Sequence, residues 1–403
     1  MPLLTNCISK MAGNVTFGKS ADIMRNYVFL LLFMVGLITS LGPYYLWNYN
    51  LTSFQLLSFL CFGLWSPRIL YNKGMIVPFL LLFLFYFYSA INQMPETILF
   101  RYFYTFIPFF LFFVKADSWK KIYHFFYVCY SISLIPSIIL FVLVMYVGLD
   151  FPSTTIEPVN AVKLYDYQAY PCLVIANNDQ FMRFCGYYDE AGVVGTISGV
   201  VLLINKLNLK DWKNWPVLIG GLLSFSLFFY ALLALYVLLF SNLKIKIVVF
   251  ALIALAVIYI SFDDSYFSKL IIERLEFDDG SFAGDNRTTG NFSRYYTRFL
   301  GSDNVWSGLG TKYCETVVDV GGCSYKHIVV NQGVIFVAFY VVAMESFYYL
   351  KFGFSKNFIL LSLVFLSLFY QRPFLYTTLY IMLFLAPAYV LPNQKINEKC
   401  QIV

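Results

Sequence analysis

The chain has 403 residues, 60% of them hydrophobic and only 12% charged, with a mean hydropathy of +0.70 and a formal net charge of +6. Its few lysines and arginines are scattered through short loops between apolar runs, which is a topology signal and excludes a nucleic-acid-binding surface. Continuous rather than alternating apolar runs exclude a transmembrane β-barrel and predict an all-α polytopic membrane protein.

The first apolar run begins near Tyr27 behind a polar leader and reads as an uncleaved first span, with no cleavable signal peptide. Runs of span length then recur, and the pattern predicts helices at about 27–47, 51–66, 75–91, 98–114, 123–147, 189–205, 245–262, 332–350, 357–371 and 373–391. The stretch 216–240, "PVLIGGLLSFSLFFYALLALYVLLF", reads either as one long helix or as two short ones meeting near Ser224 and Ser226. Charge parity selects the second. Lys10, Lys19 and Arg25, then Arg68 and Lys73, Lys115 to Lys121, and Lys206 to Lys213 mark successive inside loops. Lys244 and Lys246 fall inside as well only if the chain crosses an even number of times between 214 and 244.

The result is one integral membrane domain, 1–403, with about twelve transmembrane segments and both termini cytoplasmic. Two large periplasmic loops, 148–188 and 263–331, hold most of the polar chemistry. The second opens with "YFSKLIIERLEF", whose Phe267, Leu270, Ile271 and Leu275 share a helical face suited to the membrane interface. "DDGSFAGDN" follows as a flexible turn. Cys172 and Cys185 lie in the first loop, Cys314 and Cys323 in the second. In an oxidising compartment this location and proximity predict the bridges Cys172–Cys185 and Cys314–Cys323.

No Walker loop, dinucleotide fingerprint or H-E-x-x-H pattern occurs, so nucleotide-driven transport and zinc hydrolysis have no residues to stand on. The two histidines are His124 and His327, and no cofactor or metal is implied. What remains is an arginine and carboxylate constellation. In "NRTTGNFSRYYTRFLG", Arg287 precedes a short helical stretch on which Arg294 and Arg298 are four residues apart and share a face. Their guanidinium forks suit phosphate, although a solvated basic face fits the same pattern. Arg101 and Arg372 sit near the outer ends of apolar segments, where charge is costly and marks either function or snorkelling. The stretch "MRFCGYYDEAGVVGT" crowds Arg183, Asp189 and Glu190 before a glycine-punctuated apolar run. Gly192, Gly195 and Gly199 predict close helix approach. Asp189 suits a helix cap, and for Glu190 capping and proton transfer both remain open.

This arrangement resembles the Wzy-type O-antigen and capsule repeat-unit polymerases. "RFCGYYDEAGVVGT" resembles their R-x-x-G-x-F-x-E-P-G-x-x-G segment at Arg183, Gly186, Glu190, Gly192 and Gly195, with Tyr188 and Ala191 replacing the phenylalanine and proline. "LLSFSLFFYALLALY" is similar to their T-x-S-x-x-x-Y turn at Ser226 and Tyr230, and "SRYYTRFLGSDNVWSGLG" to their second-loop arginines followed by G-x-G, here Gly308 and Gly310. His327, in "SYKHIVVNQG", takes the place of the histidine shared by these polymerases and the ligases, without the family's H-N dipeptide.

The resemblance implies metal-independent, inverting transfer between undecaprenyl-diphosphate-linked oligosaccharides at the periplasmic face of the bacterial inner membrane. Glu190 and His327 would be the catalytic candidates, and Arg183, Arg287, Arg294, Arg298 and Arg372 would bind diphosphate or glycan. The implied partners are the lipid-linked donor and acceptor, the bilayer, a chain-length regulator and a flippase. An O-antigen ligase and a lipid-linked oligosaccharide flippase are the alternative functions.

Overall fold

The computed structural model describes residues 37, 43–46, 111–112, 114–157, 166–176, 183–247, 277–278, 281–282, 289–310, 313–314, 324–371 and 377–391. Of these, 71% are helical. In chain order the helices are α1 (Ala116–Met145), α2 (Ala191–Ile204), α3 (Asn214–Leu223), α4 (Leu227–Phe240), α5 (Gly290–Leu300), α6 (Tyr325–Phe352), α7 (Lys356–Gln371) and α8 (Thr378–Val390). Two of them, α1 with 30 residues and α6 with 28, are long and apolar enough to cross a membrane. The spans expected at 27–47, 51–66, 75–91, 98–114 and 245–262, and the helix expected at 266–277, lie outside the described residues apart from isolated positions. So do the residues that would fix twelve crossings and the sides of both termini.

The stretch 216–240 is two helices, as charge parity requires. They meet at Ser224–Ser226, where Phe225 adopts a positive φ of 46° that no continuous helix allows. Helices α2 and α8 are apolar on every side and almost wholly buried, which places them at the centre of the bundle. Helix α4 lies tight on α2 because Gly195 and Gly199 present no side chain to Ser226 and Leu232.

One end of the bundle gathers the lysines. Trp119 at the start of α1 stacks on Tyr389 at the end of α8, and the Lys351 ammonium from the end of α6 lies 4.8 Å from the Tyr389 ring centre. At the same end Tyr123 donates to Asn205 Oδ1 (2.9 Å), and Asn205 and Tyr127 both donate to Asn214 Oδ1 (2.9 Å). Lys213 pairs with Asp211 at 2.7 Å. Burial raises the Asp211 carboxyl, but hydrogen bonds from Lys213 and Tyr127 outweigh it and hold the group below the usual carboxylate range. Arg183, Arg294 and Arg298 belong to the opposite end.

The first large loop departs from the all-α expectation. Strands β1 (Thr154–Ile156), β2 (Tyr167–Tyr170) and β3 (Leu173–Ala176) form an antiparallel sheet, with Tyr170 opposite Leu173 across a tight turn. Alternation along β3 sends Leu173 and Ile175 to the main core and Val174 to a second cluster with Tyr167, Cys185 and Ala191. This division removes the expected Cys172–Cys185 bridge. Cys172 packs against the main core with a free thiol, whereas Cys185 is buried in the second cluster. Cys323 lies outside the described residues. In the second loop, part of the expected flexible turn is ordered as a two-residue hairpin, β4 (Phe277–Asp278) against β5 (Ser281–Phe282).

Candidate functional site

The segment 183–190 leads from the sheet into α2 and is stitched to the α3–α4 turn. Arg183 Nε donates to the Ser224 carbonyl at 2.9 Å and its Nη2 to the Phe225 carbonyl at 3.1 Å, while the Phe184 amide donates to the Leu223 carbonyl at 3.1 Å. These donors satisfy the carboxyl end of α3, where carbonyls would otherwise lack partners. The Tyr230 ring, one turn into α4, has Arg183 as its charged neighbour. Replacing Arg183 by alanine is expected to cost about 3 kcal/mol, because two half-buried charge-assisted hydrogen bonds go with it. A thermal-unfolding comparison with Arg183→Lys checks this, since lysine keeps the charge but not the fork.

Glu190, not Asp189, is the N-cap residue of α2, and its carboxylate makes no capping bond. Asp189 instead presents its backbone carbonyl to the Tyr167 hydroxyl at 2.7 Å. The capping reading is therefore corrected at both positions. Glu190 is half-buried at the mouth of α2.

Thr289 caps α5 by accepting from the Phe292 amide at 3.1 Å. The helix buries Phe292 and Phe299 against Val329 and Val330 of α6 and exposes Arg294 and Arg298 on its other side. The shared face expected from their spacing is present. Arg294 donates to Asn291 Oδ1 at 2.7 Å, and Arg298 makes no ion pair among the described residues. Burial, then Tyr325, pushes the Tyr296 phenol up to about 12, and burial and Tyr313 raise Tyr295, so both are proton donors at neutral pH rather than bases. Arg287 and Arg372 lie outside the described residues, as does Arg101.

His327 stands under α5 rather than beside its arginines. Phe292 stacks on the imidazole with ring centres 4.5 Å apart. Nδ1 accepts from the Ser324 amide at 2.9 Å, completing a capping box at the start of α6, and Nε2 is buried with no partner among the described residues. The sequence does not show this role, since the usual third residue of such a box is Glu or Gln. His327→Gln should therefore keep the fold to within about 1 kcal/mol. Activity measured in the same variant separates a cap from a base.

Helix α6 is interrupted at Gly333, whose φ of 81° and ψ of 162° are not helical. The G-x-G strand of chain enters the gap. Leu309 and Gly310 amides donate to the Val330 and Asn331 carbonyls (2.7 and 2.8 Å), and the Ile335 amide donates to the Trp306 carbonyl (3.4 Å). The part of α6 that follows, 334–352, is long enough to cross on its own at about 1.5 Å per residue. Sequence reasoning missed the crossing, although Gly308 and Gly333 were both visible. It brings α5, the loop 301–310 and the first two turns of α6 together as one module at the arginine end of the bundle.

The chain matches no protein-family profile, no curated protein and no solved structure.

Proposed function

We propose that the chain is a membrane glycosyltransferase that joins undecaprenyl-diphosphate-linked oligosaccharide repeat units on the outer face of the bacterial inner membrane, as an O-antigen or related surface-polysaccharide polymerase. The observation that carries the reading is the exposed Arg294 and Arg298 pair on a capped helix at the end of the bundle opposite the lysines. Lysine-rich ends face the cytoplasm, so the arginines belong to the periplasmic side, where two forks side by side suit a diphosphate.

In this reading an acceptor hydroxyl attacks the anomeric carbon of the donor glycan as the carbon–oxygen bond to the diphosphate breaks. The leaving diphosphate keeps the electron pair, and the arginines offset the charge that develops on it. Glu190, at the mouth of α2 and free of capping duty, takes the hydroxyl proton. His327 holds α6 in place beneath α5.

The break in α6 favours a second reading, a lipid-linked oligosaccharide transporter, because interrupted helices line substrate paths in that class. Glycan ladders from a null strain separate them. Loss of a polymerase leaves a single repeat on the lipid core, loss of a ligase leaves none, and loss of a flippase leaves lipid-linked repeats on the inner side. Either of the last two outcomes overturns the proposal.

A further inference from the structure

The end of the bundle that gathers the lysines brings two of them together without a counter-charge. Lys351, in the last turn of α6, is half-buried with its ammonium 4.8 Å from the centre of the Tyr389 ring. That ring is fixed in place by Trp119, stacked at 6.2 Å, and by Phe347 at 5.8 Å. The charged group that faces Lys351 is a second cation, Lys120, which follows Trp119 on α1 and is exposed. Neither lysine makes an ion pair among the described residues. Asp117, in the first turn of α1, pairs with neither, and Glu345 of α6 accepts from the Ser362 hydroxyl of α7 instead. Like charges gathered in this way repel, and an anion between them removes the repulsion. The chain next to Lys351 is apolar and open. Leu350 is 80% exposed, and Phe354, just past the Gly353 that ends α6, is 82% exposed.

We infer that Lys120 and Lys351, gathered at the Tyr389 ring, bind the headgroup phosphate of an anionic phospholipid. The two ammoniums supply the charge that a phosphodiester needs, and Leu350 and Phe354 supply an apolar surface for its acyl chains. A free phosphate would leave that surface uncovered. Lysine-rich ends face the cytoplasm, and anionic lipid there attracts each juxtamembrane lysine. Because Lys120 belongs to α1 and Lys351 to α6, one phosphate joins the two helices across the end of α8. The site lies at the opposite end of the bundle from Arg294 and Arg298 and does not depend on the polymerase reading.

The test is native mass spectrometry of the full-length protein, released from detergent after exposure to equal amounts of phosphatidylglycerol and phosphatidylcholine. At about fivefold per lysine, the wild type should retain phosphatidylglycerol about 30-fold over phosphatidylcholine. Lys120→Gln and Lys351→Gln should each cut the preference about fivefold, and the double variant should show none. Arginine at both positions keeps the charge and should keep the preference. Lys206→Gln/Lys210→Gln removes two exposed lysines of the α2–α3 loop and should bind as the wild type does. Lys120 is exposed, so its variant folds whatever Lys351 contributes to packing on Tyr389. Equal retention of the two lipids by the wild type, or an undiminished preference in Lys120→Gln, overturns the site. A preference lost equally in the Lys206/Lys210 variant reports general positive charge and overturns it too. Undecaprenyl monophosphate that displaces phosphatidylglycerol from the wild type at equal concentration assigns the lysines to the carrier lipid and overturns the phospholipid.

Discussion

Gly333→Ala is expected to unfold the module of α5, the loop 301–310 and the start of α6, at a cost above about 4 kcal/mol. Two penalties combine. An alanine held at a φ of 81° carries backbone strain of about 1–3 kcal/mol. Its Cβ would also lie 2.2 Å from the Trp306 carbonyl oxygen and 2.6 Å from the Gly308 amide nitrogen, both of them backbone atoms. The loop must back away, and the hydrogen bonds from Leu309, Gly310 and Ile335 go with it, at about 1 kcal/mol each. Gly308→Ala meets the same crossing from the other side, with its Cβ 2.5 Å from the Asn331 carbonyl oxygen. Gly301→Ala is the control, since its nearest neighbour is 3.6 Å away and its φ of −89° suits any residue. Protease cleavage between 300 and 313, with unfolding temperature measured alongside, reads the outcome. Wild-type resistance in Gly333→Ala would show that the loop does not thread the break in α6.

Replacing Arg294 or Arg298 by alanine is expected to abolish long glycan while leaving the protein in the membrane at its normal level. Both side chains are exposed, so their loss changes no core contact, and α5 stays anchored through Phe292 and Phe299. Removing one charge stabiliser of a leaving group typically costs about 2.7–4 kcal/mol of transition-state stabilisation, about 100- to 1000-fold in rate. Lysine at either position should rescue poorly, because it retains charge without the bidentate fork. Glu190→Gln keeps the shape of that side chain and removes the proposed base, and should give the same short product. The assay is chain length in a null strain with protein level checked in the same membranes. Normal ladders from all three variants would sink the assignment of the chemistry to these residues.

Much of the bundle is legible along the chain because hydropathy accumulates over consecutive residues. Helices α1, α2, α6, α7 and α8 each fall on a predicted apolar run, within several residues at the ends. The split at Ser224–Ser226 follows from lysine parity, and the common face of Arg294 and Arg298 from helical period. Each of these needs only the order of neighbouring residues.

What the sequence left undetermined depends on partners distant along it. The structural bonds of Arg183 become visible only when its acceptors, 41 and 42 positions away, are in view. The capping bond that His327 makes through Nδ1 is invisible until Ser324 and Phe292 are seen against its ring. Cys172 and Cys185 look paired by spacing, but the sheet sends them to separate clusters, and local proximity has no bearing on which face a strand offers. Gly308 and Gly333 acquire meaning only together, since each is required by the backbone of the other. Hydropathy and period therefore determined where the described helices run and which residues share a helical face. Tertiary packing alone decided which polar groups are consumed in joining segments and which are left with hydrogen-bonding capacity to spend on a ligand, because that count is settled by donors and acceptors meeting across the fold.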